Sequence, residues 1–168
     1  MKFRFLKYRT KSYLRKNKTP RYSQGYEKAV TVGVIFTVQD RQKHDYIKEF
    51  IRKLEHDGKK VKALAYLPKD QENYEFMFDF FTAREITFWG NIEATSAIDF
   101  ADSPFDFLIY LDSTLNPLIL NIIAKSKAKC RVGKFWEEAE SYFELMIESY
   151  GNPKLLIDHL YQYTTALK

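Results

Sequence analysis

The residues best placed to do chemistry follow two apolar runs of the sequence. Asp40 lies just beyond the run Ala29–Phe36, and a polar group follows the run Phe105–Leu111. The members of this group are Asp112, Ser113, Thr114 and Asn116. Carboxylate, hydroxyl and amide groups orient small ligands such as sugars by hydrogen bonds. The same residues also cap helices routinely, and we favour that interpretation over a ligand site.

Motifs that would assign a reaction are missing. The six glycines are isolated from one another, so neither a phosphate loop nor a dinucleotide fingerprint is present. The three histidines and the single cysteine, Cys130, are too scattered for a metal site, and no nucleophile-elbow motif occurs. We therefore expect no catalytic residue, metal or cofactor. His159 is expected to be a half-buried, hydrogen-bonded residue and Cys130 an inert core residue.

Two further clusters have structural interpretations that we prefer to functional ones. Asp99, Asp102 and Asp106 form the densest acidic group, which we interpret as a solvated rim because charged side chains are mostly exposed. The ring-rich stretch from Tyr74 to Trp89 would suit an exposed aromatic platform. Large rings dominate core energetics, however, and we expect them to pack in the core.

Positive charge is concentrated at the N terminus. Residues 1–22 contain nine of the 27 basic residues and no acidic residue, so the rest of the chain carries 18 basic and all 22 acidic residues, a net charge of −4. The nine are Lys2, Arg4, Lys7, Arg9, Lys11, Arg15, Lys16, Lys18 and Arg21. Such asymmetry indicates an interaction segment attached to an acidic globule.

The basic segment predicts a helix over residues 2–16. Its apolar face holds Phe3, Leu6, Tyr13 and Leu14, with Thr10 between them. An anionic membrane surface or nucleic-acid phosphates would bind the basic side chains. The arm and the rest of the chain carry opposite net charges, so we expect docking of the arm on the chain's own domain as readily as binding to either partner. Candidate contacts to an anionic partner are Lys2, Arg4, Lys7, Arg9, Lys11, Arg15 and Lys16.

Beyond the basic segment, strands and helices alternate. The continuous apolar run 29–36 is typical of a strand buried on both faces. A helix ending at Asp57-Gly58 and a strand at 61–67 complete a βαβ unit. We also predict strands or extended segments at 76–81, 86–90, 105–111, 130–133 and 142–147, and helices at 93–102, 115–127 and from Pro153. One face of the last helix would hold Leu155, Leu156, His159, Leu160 and Tyr163.

This order of elements predicts an α/β fold. We expect an open, mostly parallel, Rossmann-like sheet of five or six strands with helices on both faces, preceded by a basic N-terminal helical arm. Residues 1–24 form the arm and residues 25–168 a single domain. In a doubly wound sheet the strands at 29–36 and 105–111 are neighbours, which would bring Asp40 and residues 112–116 to one crevice.

The composition limits the class of protein but does not identify a reaction. One cysteine forms no internal disulfide, and no apolar stretch is long enough for a signal peptide or a membrane span, so we expect a cytoplasmic protein, peripheral at the membrane if the arm binds lipid. We predict a non-catalytic binding or adaptor domain. A sugar- or nucleotide-binding enzyme is one alternative, and a homo-oligomer that completes a site across its subunits is another.

Two stretches of sequence resemble known families. "VGVIF…IKEFIRKLEHDGKKVKALAYL" together with "FDFLIYLD…PLILNIIAKSKAKCRVG" resembles a family of short bacterial α/β proteins of uncharacterised function, over most of residues 28–165. The second stretch is also distantly similar to the N-terminal domain of heptosyltransferase-type glycosyltransferases. Those enzymes open their acceptor site with a Gly-Asp turn, which Thr37–Asp40 lacks, so this resemblance implies a shared half-fold only.

Overall fold

A computed structural model describes residues 1–74 and 77–168. The helices are α1 (Lys2–Lys16), α2 (Arg41–His56), α3 (Thr95–Asp102), α4 (Pro117–Lys125) and α5 (Pro153–Thr165). The strands are β1 (Thr31–Thr37), β2 (Lys60–Tyr66), β3 (Asp79–Phe81), β4 (Phe107–Tyr110), β5 (Cys130–Lys134) and β6 (Leu145–Ile147). Short 3-10 helices cover Ala83–Glu85 and Glu137–Tyr142.

The six strands form one open sheet in the order β3-β2-β1-β4-β5-β6, with every pair parallel. This order reverses direction between β1 and β4, as in a doubly wound sheet. Val34 at the centre of β1 lies opposite Ala63 of β2 and Ile109 of β4. The predicted Rossmann-like α/β fold is therefore confirmed.

Helices cover both faces of the sheet. On one face α1, α3 and α4 enclose an apolar core that contains Leu6, Phe100 and Ile119. On the other face α2 and α5 cover a second core that contains Phe50 and Leu160. The two cores explain why β1 and β4 are continuous apolar runs, since their side chains are buried on both sides of the sheet.

Polar caps begin the helices at the predicted positions. Lys43 N–H donates to Asp40 Oδ1 (2.8 Å) at the start of α2, and Leu118 N–H donates to Asn116 Oδ1 (2.9 Å) at the start of α4. Each cap gives one orphan N–H of the first helical turn a partner. Asp40 and Asn116 therefore act as helix caps, the interpretation that we favoured.

The predicted extended segment at 86–90 is wrong. Only Ile86 forms a β-bridge, to Ile92, and residues 87–90 form a tight turn in which Gly90 N–H donates to the Thr87 carbonyl (3.0 Å). Gly90 has φ +76°, a left-handed conformation that suits glycine. The predicted strand over 76–81 corresponds to β3 from Asp79 onward, and Phe76 lies outside the described residues.

The predicted apolar face of the last helix is also wrong in part. The buried residues of α5 are Leu156, Ile157, Leu160 and Thr164. Leu155 and Tyr163 are 41% and 52% exposed. The helix is rotated so that Ile157, rather than Leu155, packs with α2 against the sheet.

Candidate functional site

An open crevice of about 420 Å³ lies where the sheet order reverses. The carboxyl ends of β1 and β4 and the loop that leads into α4 form its walls. Its polar lining comprises Thr37, Gln39, Lys43, Tyr66, Gln71, Asp112, Ser113, Thr114 and Asn116. Ligands of doubly wound sheets bind at this position, so the crevice is the first place where a small molecule would fit.

Asp112 joins the two central strands beneath the crevice. Its carboxylate accepts hydrogen bonds from Thr37 N–H (2.9 Å) and Thr37 Oγ1 (2.6 Å) and from Lys43 Nζ (2.7 Å). Lys43 Nζ also donates to the Thr37 carbonyl (2.9 Å). Both oxygens of Asp112 therefore have hydrogen-bond partners, and the carboxylate joins the end of β1 to the start of α2.

The loop after β4 is held by a buried phenol. Tyr110 OH donates to the Thr114 carbonyl (3.0 Å) and accepts from Asn116 N–H (3.0 Å), while Asn116 Nδ2 donates to Thr37 Oγ1 (3.0 Å). Burial, together with the negative charge of Asp112, raises the pKa of Tyr110 far above its ordinary value. The phenol therefore stays neutral and serves to fix the loop.

Four of the five predicted ligand-binding candidates come together. Asp112, Ser113, Thr114 and Asn116 all line the crevice. Asp40 does not line it; its side chain is exposed and caps α2. Among the residues that sequence reasoning missed is Lys43, which is only 4% exposed. No signal in the sequence marks it, because a lysine in the first turn of a helix is ordinarily a surface residue.

The acidic cluster is the solvated rim that we expected at two of its three positions. Asp99 and Asp102 are exposed, but Asp106 is buried and accepts from Lys129 Nζ (2.7 Å) and from the N–H groups of Val30 (2.7 Å) and Thr31. The burial of Asp106 was not predicted, because its main hydrogen-bond donors are backbone N–H groups distant in sequence. Within residues 1–74 and 77–168, no group of three or more His, Cys, Asp or Glu side chains is placed to hold a metal ion.

The basic helix α1 is packed against α4. Leu6 is 1% exposed, and Thr10 Oγ1 accepts from the amide of Asn121 (2.9 Å), both inside the protein. The amide of Asn17 donates to the carbonyls of Ala124 (2.9 Å) and Ser126. The predicted apolar face is half right, because Leu6 and Thr10 are buried whereas Phe3 is 53% exposed.

No ion pair to the described residues holds α1 in place. None of its seven basic residues forms an ion pair with any residue that the structure describes. Lys2 Nζ and Arg9 Nε donate instead to the carbonyls of Ala83 (3.3 Å) and Trp89 (2.7 Å). The arm therefore docks through apolar burial and hydrogen bonds to uncharged acceptors, and no carboxylate among the described residues pairs with its cations.

The segment after α1 continues across the domain. Arg21 donates to the Ala128 carbonyl, and Tyr22 N–H donates to the Lys129 carbonyl (2.9 Å). Tyr26 N–H then donates to Leu167 O (2.9 Å) near the other end of the chain. These contacts join residues 17–26 to the loop between α4 and β5 and to the segment after α5.

The sequence profile of a family of unknown function, DUF6913, matches residues 2–167. The chain belongs to this family. Its profile includes α1, so the basic helix lies within the segment that matches DUF6913. No significant similarity was found to any curated protein or solved structure. The resemblance to heptosyltransferases is therefore not confirmed.

Beside α1, this DUF6913 domain exposes two rings of the stretch from Tyr74 to Trp89, which we expected in the core, together with a ring of α1 itself. Phe88 and Trp89 are 54% and 60% exposed, and Tyr8 on α1 is 68% exposed. The tight turn at 87–90 forces Phe88 and Trp89 outward, because their backbone is bonded across the turn rather than in the sheet. No helix within the described residues is long and apolar enough to cross a membrane.

Proposed function

We propose that this protein is a non-catalytic adaptor that binds a polyanion on the outward surface of α1. The observation that supports this proposal is the absence of ion pairs to the basic residues of a helix that is nevertheless docked. A helix held by Leu6 and Thr10 presents its cations in a fixed arrangement, and a rigid array of cations binds an anionic surface with little loss of conformational entropy.

The proposed polyanion-binding surface is a row of basic residues on the exposed side of α1. Lys7, Lys11 and Arg15 are spaced four residues apart, so they lie one above the other on the helix, and all three are exposed. No acidic residue occurs anywhere in residues 1–22 to offset them. Such a row concentrates positive potential on one side of a domain whose remaining residues carry a net negative charge.

Retention on immobilised heparin tests the proposal. We expect the wild-type protein to bind and to elute only at raised salt, because polyanion binding releases counterions. The variant K7Q/K11Q/R15Q should elute at clearly lower salt. The matched control R52Q/K53Q/K154Q removes the same charge from α2 and α5, on the opposite face of the sheet, and should elute like the wild type.

Equal shifts for the two triple variants would contradict the proposal, since retention would then follow net charge and not the α1 surface. Failure of the wild type to bind at all would contradict it as well. Light scattering on each variant shows whether a homo-oligomer forms, which matters because two α1 surfaces on one particle would raise retention by avidity.

A second candidate function is the binding of a sugar or nucleotide in the crevice. It is favoured by the open cavity at the reversal point of the sheet and by the hydroxyl groups of Ser113 and Thr114 at its edge. Because Asp112 is already paired with Lys43, this candidate is a binding site without an evident general base.

Thermal stabilisation by a uridine diphosphate sugar tests the second candidate. We expect a concentration-dependent rise in melting temperature, because a ligand that binds only the folded state stabilises it. The variant S113A/T114V should abolish the rise. A stabilisation that survives in S113A/T114V would contradict binding in the crevice, as would the absence of any stabilisation.

A further inference from the structure

A groove of about 870 Å³ runs along one side of α1. Its α1 wall is a stripe of residues three or four positions apart, and its far wall is Trp89. The residues that matter here are Phe5, Tyr8, Arg9, Ser12, Lys16 and Trp89, and we call this feature the α1 groove. Because Leu6 and Thr10 on a different face dock the helix, the groove stays open to solvent.

The aromatic rings of the α1 groove form a supported cluster. The rings of Phe5 and Trp89 lie 5.4 Å apart at 64°, and Phe88 lies 5.3 Å from Trp89 and 5.9 Å from Phe5. Edge-to-face contacts of this kind fix the orientation of each ring. Arg9 Nε also bonds the Trp89 carbonyl, so the turn that carries Trp89 is tied to α1.

The α1 groove is positively charged. Arg4, Arg9 and Lys16 line it, and no acidic residue lines it among the described residues. The neighbouring Lys125 is affected by this charge: burial, and then the proximity of Arg9, lowers the pKa of Lys125 below its ordinary value. An anionic occupant of the groove would relieve the repulsion between these cations.

We propose that the α1 groove binds single-stranded nucleic acid, with unpaired bases stacked on Tyr8 and Trp89 and phosphates held by Arg4, Arg9 and Lys16. This inference rests on the proposed function, whose polyanion it identifies. Aromatic rings that alternate with cations along a groove suit a single strand, because every base offers a face for stacking and every linkage a phosphate. α1 is roughly 22 Å long, enough for a few nucleotides.

The geometry argues against the two other anionic partners. A duplex keeps the faces of its bases inside the stack, so the exposed rings of Tyr8 and Trp89 would have nothing to stack on. A bilayer is flat on the scale of one helix, and it would leave the α1 groove unfilled. Leu6, at the centre of the apolar face that a membrane-bound helix would insert, is already buried against the domain.

Fluorescence anisotropy with a labelled oligothymidylate of about 12 nucleotides tests the inference. We expect the wild type to bind this strand more tightly than a duplex of the same length. Tyr8→Ala and Trp89→Ala should each weaken binding roughly tenfold, the size of one lost stacking contact. Tyr8→Phe keeps the ring and should bind like the wild type. Tyr150→Ala and Tyr163→Ala remove exposed rings elsewhere and serve as controls.

The outcomes separate this inference from the proposed function. If heparin retention depends on Lys7, Lys11 and Arg15 but Tyr8→Ala and Trp89→Ala bind the strand normally, the inference is wrong and the polyanion surface stands. Equal affinity for strand and duplex would also overturn it, as would preferential sedimentation with phosphatidylserine vesicles. Melting temperatures of the variants within a few degrees of the wild type show that each variant is folded.

Discussion

Lys43 Nζ lies 2.7 Å from Asp112 Oδ1, and the two side chains retain only 5% and 3% of their exposure. Lys43 stands in the first turn of α2, whereas Asp112 follows β4, so the pair joins a helix to the strand end at which the sheet order reverses. The charges cancel beneath the crevice. A ligand in the crevice would therefore lie above an ion pair with no net charge.

Removing one partner of this pair should destabilise the protein strongly. Asp112→Asn keeps the size of the side chain but leaves the Lys43 ammonium buried without a counter-charge, at a cost of about 3 kcal/mol or more in the free energy of unfolding. Urea denaturation measures the loss. Asp158→Asn breaks the exposed pair with Lys154 and should cost far less, because solvent screens exposed charges. Similar losses in both variants would show that the Lys43–Asp112 pair is solvated.

The positions of the crevice residues were predictable because parallel strands place their carboxyl ends at one edge of a sheet. Two apolar runs followed by Asp40 and by Asp112–Asn116 were enough to place four of the five candidates together. Lys43 was not predictable, since its partner is 69 residues away in sequence and only the tertiary fold brings the two together.

The arm shows a different limit of sequence reasoning. Residues 2–16 were predicted as a helix with the bounds that α1 has. Net charge suggested an electrostatic reason for docking, but the contacts are Leu6 in the core and Thr10 against Asn121. We expected Trp89 in the core and not on an exposed platform, because the number of rings in a segment does not specify which of them a turn directs outward.

Asp106 should make the protein sensitive to acid. Burial opposes ionisation of this carboxyl, but hydrogen bonds from Lys129 and from the N–H groups of Val30 and Thr31 outweigh it and lower its pKa. A lowered folded-state pKa stabilises the protein above the unfolded value of about 4, and that stability is lost as pH falls through the folded value. Asp106→Asn should therefore be less stable near neutral pH and lose less stability on acidification.

Urea denaturation at a series of pH values from neutral to strongly acidic measures this dependence. Asp99→Asn alters an exposed carboxyl on α3, so its free energy of unfolding should fall on acidification as steeply as that of the wild type. If Asp106→Asn loses as much stability on acidification as the wild type, other carboxylates cause the acid sensitivity.

Cys130 should be unreactive in the folded protein. Burial, with a smaller contribution from the charge of Glu144, raises the pKa of its thiol to about 11, and the side chain lies at the start of β5 inside the core. At about pH 8 almost no thiolate is present to react. Labelling with a disulfide reagent, followed by mass spectrometry, should be complete in denaturant and negligible without it. Fast labelling of the folded protein would place Cys130 at the surface.

Gly90 and Gly58 form a matched pair that measures how much the docking of α1 contributes to stability. Both glycines have positive φ, +76° and +83°, so alanine costs about 1–2 kcal/mol of backbone strain at either position. A Cβ at Gly90 would overlap the backbone of Leu6, whereas at Gly58 it would meet nothing within 4 Å. Gly90→Ala should therefore be the more destabilising substitution, and the excess arises from displaced α1.

Urea denaturation gives the difference in stability, and limited trypsin digestion locates it. α1 is rich in lysine and arginine, so a displaced helix should be cleaved before the domain in Gly90→Ala, while Gly58→Ala should resist like the wild type. If the two variants unfold and digest alike, the close approach of Gly90 to Leu6 does not hold α1.

The same digestion in the presence of oligothymidylate should slow for the wild type, because a strand in the α1 groove would cover Arg4, Arg9 and Lys16.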